Sequence, residues 1–62
     1  MHGSDILARF LSMFPFYMTT IQNWEYLGNR KILVGLKDGS EIEFWEVRHE
    51  GSYQYGLAQR AG

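Results

Sequence analysis

Acid–base chemistry could be performed by three glutamates and one histidine in the second half of the chain, Glu41, Glu43, Glu46 and His49. Paired carboxylates or a histidine can carry protons in a catalytic site if they converge on one place. Glu41 and Glu43, however, alternate with apolar residues, which is typical of the solvated face of a strand. His49 stands between charged neighbours at a predicted hairpin end, where a histidine normally contacts solvent. The sequence therefore predicts a non-enzymatic protein with no catalytic residue.

Residue types that bind metals or phosphates are scarce or scattered. The chain has no cysteine and only two histidines, too few for a thiolate or imidazole metal site. A phosphate-binding loop needs glycines gathered before a helix. The glycines lie instead one to a predicted turn or strand, at Gly35, Gly39, Gly51 and Gly56. No metal and no cofactor is predicted.

Aromatic residues make up 16% of the chain, and Trp24, Tyr26 and Trp45 fall on predicted strands. One interpretation buries these three in the core, to which aromatic side chains contribute large areas. The other places them on a contact surface, because Trp and Tyr dominate interface hot spots and a contiguous apolar patch marks a contact site. Both interpretations hold if identical subunits bury the patch between them.

The elements that position these residues are organised around a hairpin from Lys31 to Val47, in which two strand-like runs flank Asp38–Gly39. A two-residue loop at Asp38–Gly39 would place Glu41 and Glu43 opposite the apolar residues Leu36 and Val34. We therefore expect a three-residue loop that includes Ser40. Gly39 can supply the left-handed conformation that such a loop requires.

This register divides the apolar residues of the hairpin between two faces. It pairs Leu36 with Ile42 and Val34 with Phe44. Face A carries Ile32, Val34, Leu36, Ile42 and Phe44. Face B carries Leu33, Gly35, Trp45 and Val47. Because both faces hold apolar residues, a single covering layer cannot bury the whole sheet.

A helix is predicted over residues 5–14, with Ser4 as its N-cap and Asp5 paired with Arg9 one turn later. Pro15 disfavours helical geometry at the residue before it, so the helix should end there. An extended connector is expected over residues 16–18. Strands are predicted at 20–27, 30–37, 41–49 and 52–59.

Turns next to the central hairpin set the registers of the outer strands. A two-residue turn at Gly28–Asn29 places Trp24 opposite Leu33 and Tyr26 opposite Lys31. Trp24 and Tyr26 are therefore expected on face B.

The last strand is expected to follow a two-residue turn at Glu50–Gly51. This turn aligns Tyr53, Tyr55 and Leu57 with residues of face A. It also brings Gly56 beside Trp45, where a missing side chain leaves room for the indole.

These elements predict an α+β fold, in which one N-terminal helix packs on a three- to four-stranded antiparallel β-meander. The helix should cover face A, because a hydrophobic sheet face must be buried against another layer. Face B would then be closed by a second subunit or by curling of the sheet into a small SH3- or Sm-like barrel. Residues 1–62 are predicted to form a single small domain.

Composition narrows the way in which so small a domain is stabilised. A chain of 62 residues is marginal alone, and small domains compensate with disulfides, metals or oligomerisation. Since disulfides and metals are excluded, a homo-oligomer is predicted. No secretory signal or membrane span is predicted, and the apolar helix has only Arg9 as a cation, which disfavours a membrane partner. The predicted location is the cytoplasm.

An N-terminal helix followed by a meander containing Leu-Lys-Asp-Gly-Ser resembles the start of Sm-like RNA-binding rings or a small SH3-like barrel. The resemblance extends from Arg30 to Val47. Phe44 stands near the position where that family has a glycine, and a second Sm motif is absent from the sequence, so the chain is not assigned to the family. The resemblance implies an alternative function, the binding of RNA or single-stranded DNA by a small oligomer. Bases would stack on aromatic strand residues.

The function predicted from the sequence is that of a protein-binding module, an inhibitor or adaptor such as phages and mobile elements encode. It would act through self-association and an aromatic sheet face on an unidentified protein partner. The predicted interface residues are Trp24, Tyr26, Leu33, Trp45, Val47, Phe10 and Phe14. In the nucleic-acid alternative, the phosphate contacts would be Lys31, Arg30, Lys37 and Arg48. A net charge of −1 gives counterion release little cationic surface and makes this alternative the weaker one.

Overall fold

One helix and a four-stranded antiparallel sheet form the protein. The computed structural model describes residues 2–60, so Met1 and residues 61–62 of the predicted 1–62 domain lie outside it. The elements follow in the order α1 (Ser4–Met13), a 3₁₀-helix (Pro15–Thr19), β1 (Ile21–Gly28), β2 (Lys31–Leu36), β3 (Glu41–His49) and β4 (Ser52–Arg60). The strands form an open sheet in the order β1-β2-β3-β4. The predicted α+β fold is confirmed, and the sheet does not close into a barrel.

Helix α1 begins one residue earlier than predicted. Its N-cap is Gly3, which has a left-handed backbone (φ +89°), and Ser4 is already helical. A side chain at position 3 would overlap the ring of Tyr26, so close packing against β1 requires glycine here. The prediction of Ser4 as N-cap is therefore wrong.

Helix α1 ends shortly before Pro15, in agreement with the effect of proline on the preceding residue. The helix ends at Met13, and the Phe14 amide donates to the Phe10 carbonyl over 2.9 Å. Residues 15–19 then form a 3₁₀-helix and not the expected extended connector. The fixed φ of Pro15 suits the first position of a new helical turn, which explains why the chain coils again.

The core lies between α1 and face A. Ile6 and Phe10 of the helix are fully buried against β2 and β3. The five residues predicted for face A are all buried, Ile32, Val34, Leu36, Ile42 and Phe44. Partly buried residues surround them, Leu7, Leu11, Phe14, Tyr17, Ile21, Trp24, Tyr26 and Tyr55. The predicted assignment of these five hairpin residues to face A is thus confirmed.

The central hairpin has a three-residue loop, but the loop begins at Lys37 and not at Asp38. Leu36 donates to Ser40 over 2.9 Å, and Gly39 donates to Leu36 over 3.0 Å. The left-handed residue of such a loop stands third, and Gly39 (φ +91°) fills that position. The predicted pairing of Leu36 with Ile42 is therefore wrong.

The observed register differs from the predicted one by two positions. Val34 pairs with Ile42, and Ile32 pairs with Phe44. The predicted pairing of Val34 with Phe44 is therefore wrong as well. A shift of two residues leaves every side chain on its face, because side chains alternate with a period of two.

The observed register of β1 places its aromatic residues on the face opposite to the predicted one. Trp24 pairs with Val34 and Tyr26 with Ile32, on face A. The turn is Asn29–Arg30, both with positive φ, and β1 holds an extra residue at Leu27. Because the register moves by one residue, the side chains point to the opposite face, and the prediction of Trp24 and Tyr26 on face B is wrong.

The predicted register of β4 is confirmed. Glu50–Gly51 forms the two-residue turn, with positive φ at both residues. Tyr55 pairs with Glu46, and Trp45 pairs with Gly56.

Candidate functional site

Face B is the side of the sheet opposite α1. Along β2 and β3, face A residues are buried, whereas face B residues remain partly or largely exposed. Leu33, Trp45 and Val47 form its apolar strip, with Val47 46% exposed. Within residues 2–60, the helical layer packs against face A, so face B lacks a corresponding cover. Face B is therefore an aromatic and aliphatic surface accessible to another molecule.

Trp45 has a defined position on face B. A Cβ at Gly56 would overlap the indole ring, which shows that the ring lies directly over the neighbouring strand. On the other side, Lys31 pairs with Trp45 across β2 and β3. The Lys31 Nζ lies 5.3 Å from the ring centroid, within the range of a cation–π interaction. The indole is thus positioned between Lys31 and the backbone of Gly56.

Charged residues border the apolar strip of face B. The Glu43 carboxylate accepts a hydrogen bond from Arg60 at 2.5 Å and forms an ion pair with Lys31 at 3.5 Å. The hydrogen bond from Arg60 lowers the pKa of Glu43 below its ordinary value. Two cations thus share one carboxylate, and face B carries both signs of charge next to its apolar strip.

A second ion-pair group ties α1 to the sheet. Arg30 donates to Asp5 over 2.6 Å and to Glu46 over 2.8 Å. The hydroxyl of Tyr55 donates to the other oxygen of Glu46 over 3.1 Å. Asp5 therefore pairs with Arg30 and not with Arg9 as predicted, because the β1–β2 turn brings a guanidinium to the start of the helix. Arg9 lies over the Tyr55 ring at 5.9 Å.

Acidification is expected to destabilise the fold through Asp5 and Glu43. The hydrogen bond from Arg30 lowers the pKa of Asp5 below its ordinary value of 3.8. A depressed carboxyl pKa in the folded state stabilises the fold above the unfolded-state pKa, and this contribution is lost as pH falls through the lowered value. We therefore expect Asp5→Asn to reduce the drop in melting temperature between about pH 6 and about pH 2.

Thermal unfolding followed by circular dichroism would measure this pH dependence. The matched control is Asp5→Asn in an Arg30→Gln background. There, the substitution should change the pH dependence less, because the guanidinium that lowers the pKa of Asp5 most is missing. An equal effect of Asp5→Asn in both backgrounds would show that Arg30 does not lower the pKa of Asp5.

The seven predicted interface residues divide between the two sides of the sheet. Leu33, Trp45 and Val47 come together on face B. Trp24 and Tyr26 pack against the core on face A, as does partly buried Phe14, and Phe10 lies inside the core. The structure therefore reduces the predicted aromatic patch to the strip around Trp45.

The four predicted phosphate contacts are also dispersed. Arg30 and Lys31 form ion pairs with carboxylates. Lys37 lies in the loop between β2 and β3, at the opposite end of β2 from Arg30. Arg48 pairs with Tyr53 toward the far end of β3. Together they do not form one continuous cationic track.

Sequence reasoning missed a groove on the helix side. It encloses about 330 Å³ between the 3₁₀-helix and the β2–β3 loop. Its lining is formed by Phe16, Tyr17, Thr20, Leu36, Lys37, Asp38, Ser40 and Gln59. The lining comes from distant parts of the chain, and the 3₁₀-helix that forms one wall was expected to be extended, so no local pattern indicated the groove.

Comparison of the chain with protein-family models, with curated proteins and with solved structures found no match. Among the described residues, no group of three or more His, Cys, Asp or Glu side chains is placed to hold a metal ion. No described helix is long and apolar enough to cross a membrane. The proposals below therefore derive from the geometry of the site.

Proposed function

We propose that this chain is a small, non-enzymatic protein-binding module that self-associates and presents face B to a protein partner. The proposal depends on one observation. The helical layer covers face A, whereas Leu33, Trp45 and Val47 remain accessible on face B around an indole in a defined position. Binding would cost little side-chain entropy at Trp45, because the ring already has a defined position between its neighbours.

The arrangement of charge supports a protein partner over a nucleic acid. Protein interfaces combine an aromatic centre with a polar rim. On face B, Trp45 and Leu33 lie directly beside the ion pairs of Glu43, so apolar and charged groups adjoin each other. A nucleic acid would need cations that follow its phosphates, whereas Lys31 already shares Glu43 with Arg60.

The ion pairs and hydrogen bonds of the acidic residues support a non-enzymatic role. Glu43 pairs with two cations, and Glu46 accepts hydrogen bonds from Arg30 and Tyr55. Both carboxylates therefore have structural partners. More specifically, the chain would act as an inhibitor or adaptor, with face B covering a surface of the target.

A random peptide library displayed on phage would test the use of face B. Peptides selected on the immobilised wild-type protein should bind Trp45→Ala at least about thirtyfold more weakly, since truncation of a hot-spot residue costs about 2 kcal/mol or more. Val47→Glu should also weaken binding, because it places a charge on an exposed position of the apolar strip. Phe16→Ala, which truncates an aromatic residue that is 73% exposed elsewhere, is the control and should bind normally.

The outcome of the selection separates the two functions. Selected peptides that bind Val47→Glu as tightly as the wild type would contradict the proposal. A labelled single-stranded RNA of mixed sequence is the second probe. Binding of this RNA that weakens steeply with salt and is lost in Lys31→Glu would support the nucleic-acid alternative instead.

A further inference from the structure

The two edge strands of the sheet differ in how they are protected from pairing with another chain. Strand β1 contains two register shifts, one between Ile21 and Asn23 and one between Tyr26 and Gly28. Such bulges disrupt an edge and prevent a new strand from adding to it. Strand β4 pairs without a shift along its whole length, from Ser52 to Arg60. Natural edges are also protected by charges and prolines, but β4 has no proline, and Arg60 at its end is its only charged residue.

The turn before β4 determines which of its backbone groups point outward. A two-residue turn places a hydrogen-bonded pair beside it, here His49 and Ser52, and bonded pairs then alternate along the strands. Every second residue of β4 therefore bonds to β3. The N–H and C=O groups of the others point away from the sheet, at Tyr53, Tyr55, Leu57 and Gln59.

We infer that β4 pairs antiparallel with β4 of a second copy of this chain, with the two Gly56 residues facing each other across a two-fold axis. In this register, residue 53 meets residue 59 and residue 55 meets residue 57. All four outward-facing residues of each copy then form hydrogen bonds. A shift by two positions in either direction would pair only three of these four residues with one another.

The side chains of β4 are compatible with this pairing. Leu57, 42% exposed, meets Tyr55 of the second copy, and such aromatic–aliphatic pairs stabilise neighbouring strands. Arg60 meets Ser52 of the second copy, next to the turn that contains Glu50 of that copy. Like charges do not face each other anywhere along β4. This self-complementarity favours a second copy over an unrelated extended peptide.

The pairing would join the two binding faces into one. Each Trp45 indole lies over Gly56 of its own chain, and the two Gly56 residues would be neighbours at the axis. The two Trp45 Cα atoms would be separated by three strand spacings, about 14 Å at ~4.8 Å each, with both indoles lying over the central strands. This step rests on the proposed function: the partner would contact a composite site that contains both indoles.

Disulfide trapping tests the register directly, because the chain contains no cysteine. Gln54 of one copy and Ala58 of the other would form a pair without backbone hydrogen bonds, with Cα atoms about 4.5 Å apart, close enough for a disulfide. A mixture of Gln54→Cys and Ala58→Cys proteins should therefore form a disulfide-linked heterodimer on mild oxidation. Each variant alone should not cross-link, since identical positions lie four residues out of register. Equal cross-linking of the single variants and the mixture, or no cross-linking in any of them, would overturn the inference.

Solution mass by light scattering provides the second test. The wild type should be a dimer at micromolar concentration. Leu57→Pro should be a monomer, because it removes an outward N–H that is not bonded within the chain, and proline is tolerated at such edge positions. Leu57→Val keeps the N–H and should remain a dimer. If Leu57→Pro fails to fold by circular dichroism, Leu57→Lys replaces it, since lysine also protects an edge strand.

The light-scattering results also distinguish this inference from the proposed function. A wild type that is monomeric throughout, or a Leu57→Pro protein that remains dimeric, would overturn pairing through β4. If Val47→Glu abolishes the dimer and Leu57→Pro does not, the copies associate through face B. Peptide binding by a monomeric wild type, lost in Val47→Glu, would leave the proposed function intact without the edge pairing.

Discussion

Phe10→Ala is expected to abolish the stable fold. Phe10 is fully buried, and its ring centroid lies 5.2 Å from that of Phe44, 5.4 Å from that of Tyr17 and 5.6 Å from that of Phe14. Truncation of a buried phenylalanine to alanine typically costs about 3–5 kcal/mol, through lost burial and the cavity left behind. The core of a domain below about 70–80 residues rarely supplies more than about 3–5 kcal/mol. One substitution would therefore remove most of the available stability.

Urea unfolding followed by far-UV circular dichroism would measure this effect, with all proteins at the same concentration because the proposed self-association would contribute to stability. The matched control is Phe16→Ala, the same chemical change at a position that is 73% exposed. Its free energy of unfolding should change by less than about 0.5 kcal/mol. A folded Phe10→Ala protein that loses less than about 1 kcal/mol would contradict the central role of this ring in the core.

Gly56→Ala is expected to displace the Trp45 indole from face B. The added Cβ would overlap the six-membered part of the ring and its Nε1 atom. Because overpacking of this kind typically costs about 1–3 kcal/mol, the indole should leave the sheet and become more exposed to water. The expected result is a red shift in tryptophan emission, together with a lower free energy of unfolding.

Gly35→Ala is the matched control, because Gly35 also lies on face B in the interior of a strand. Its Cβ would meet the amide end of Asn23, an exposed side chain that can rotate away, so a much smaller effect is expected. A double-mutant cycle with Trp45→Ala completes the test. If Gly56→Ala costs as much without the indole as with it, the effect arises from the backbone and not from Trp45.

The same two glycine variants connect the position of the indole with binding. If face B binds protein through a preformed Trp45, Gly56→Ala should weaken the selected peptides, whereas Gly35→Ala should not. Loss of binding in both variants would indicate a general loss of the sheet surface. Normal binding by Gly56→Ala would show that the observed position of the indole is not required.

Local patterns in the sequence were sufficient to predict the helix, the strands and the buried face of the sheet. Pro15 marks the end of α1 because the residue before a proline avoids helical geometry. The alternation from Ile32 to Phe44 identifies face A whether the register is right or displaced by two residues. The Glu50–Gly51 turn specifies the register of β4, since that turn adjoins two regular strands without a bulge. Each of these features depends on residues close together in the chain.

The position of the aromatic residues of β1 was decided by the tertiary structure alone. The extra residue at Leu27 moves the register of β1 by one position and turns Trp24 and Tyr26 toward the core. A contact with the distant helix cap and a hydrogen bond from the adjacent turn stabilise this arrangement. The ring of Tyr26 packs against Gly3 of the helix cap, and its hydroxyl accepts a hydrogen bond from the Arg30 amide.

The candidate site also combines features that the local sequence predicts with features that depend on tertiary packing. Trp45, Leu33 and Val47 could be assigned to one face from their alternation, because side-chain direction along a strand has a period of two. The ion pair between Asp5 and Arg30 joins residues 25 positions apart, so no local spacing could indicate it. Short-range periodicity thus determined which residues of the central hairpin share one face of the sheet. The packing of α1 on β2 and β3 decided which aromatic residues remain accessible for binding.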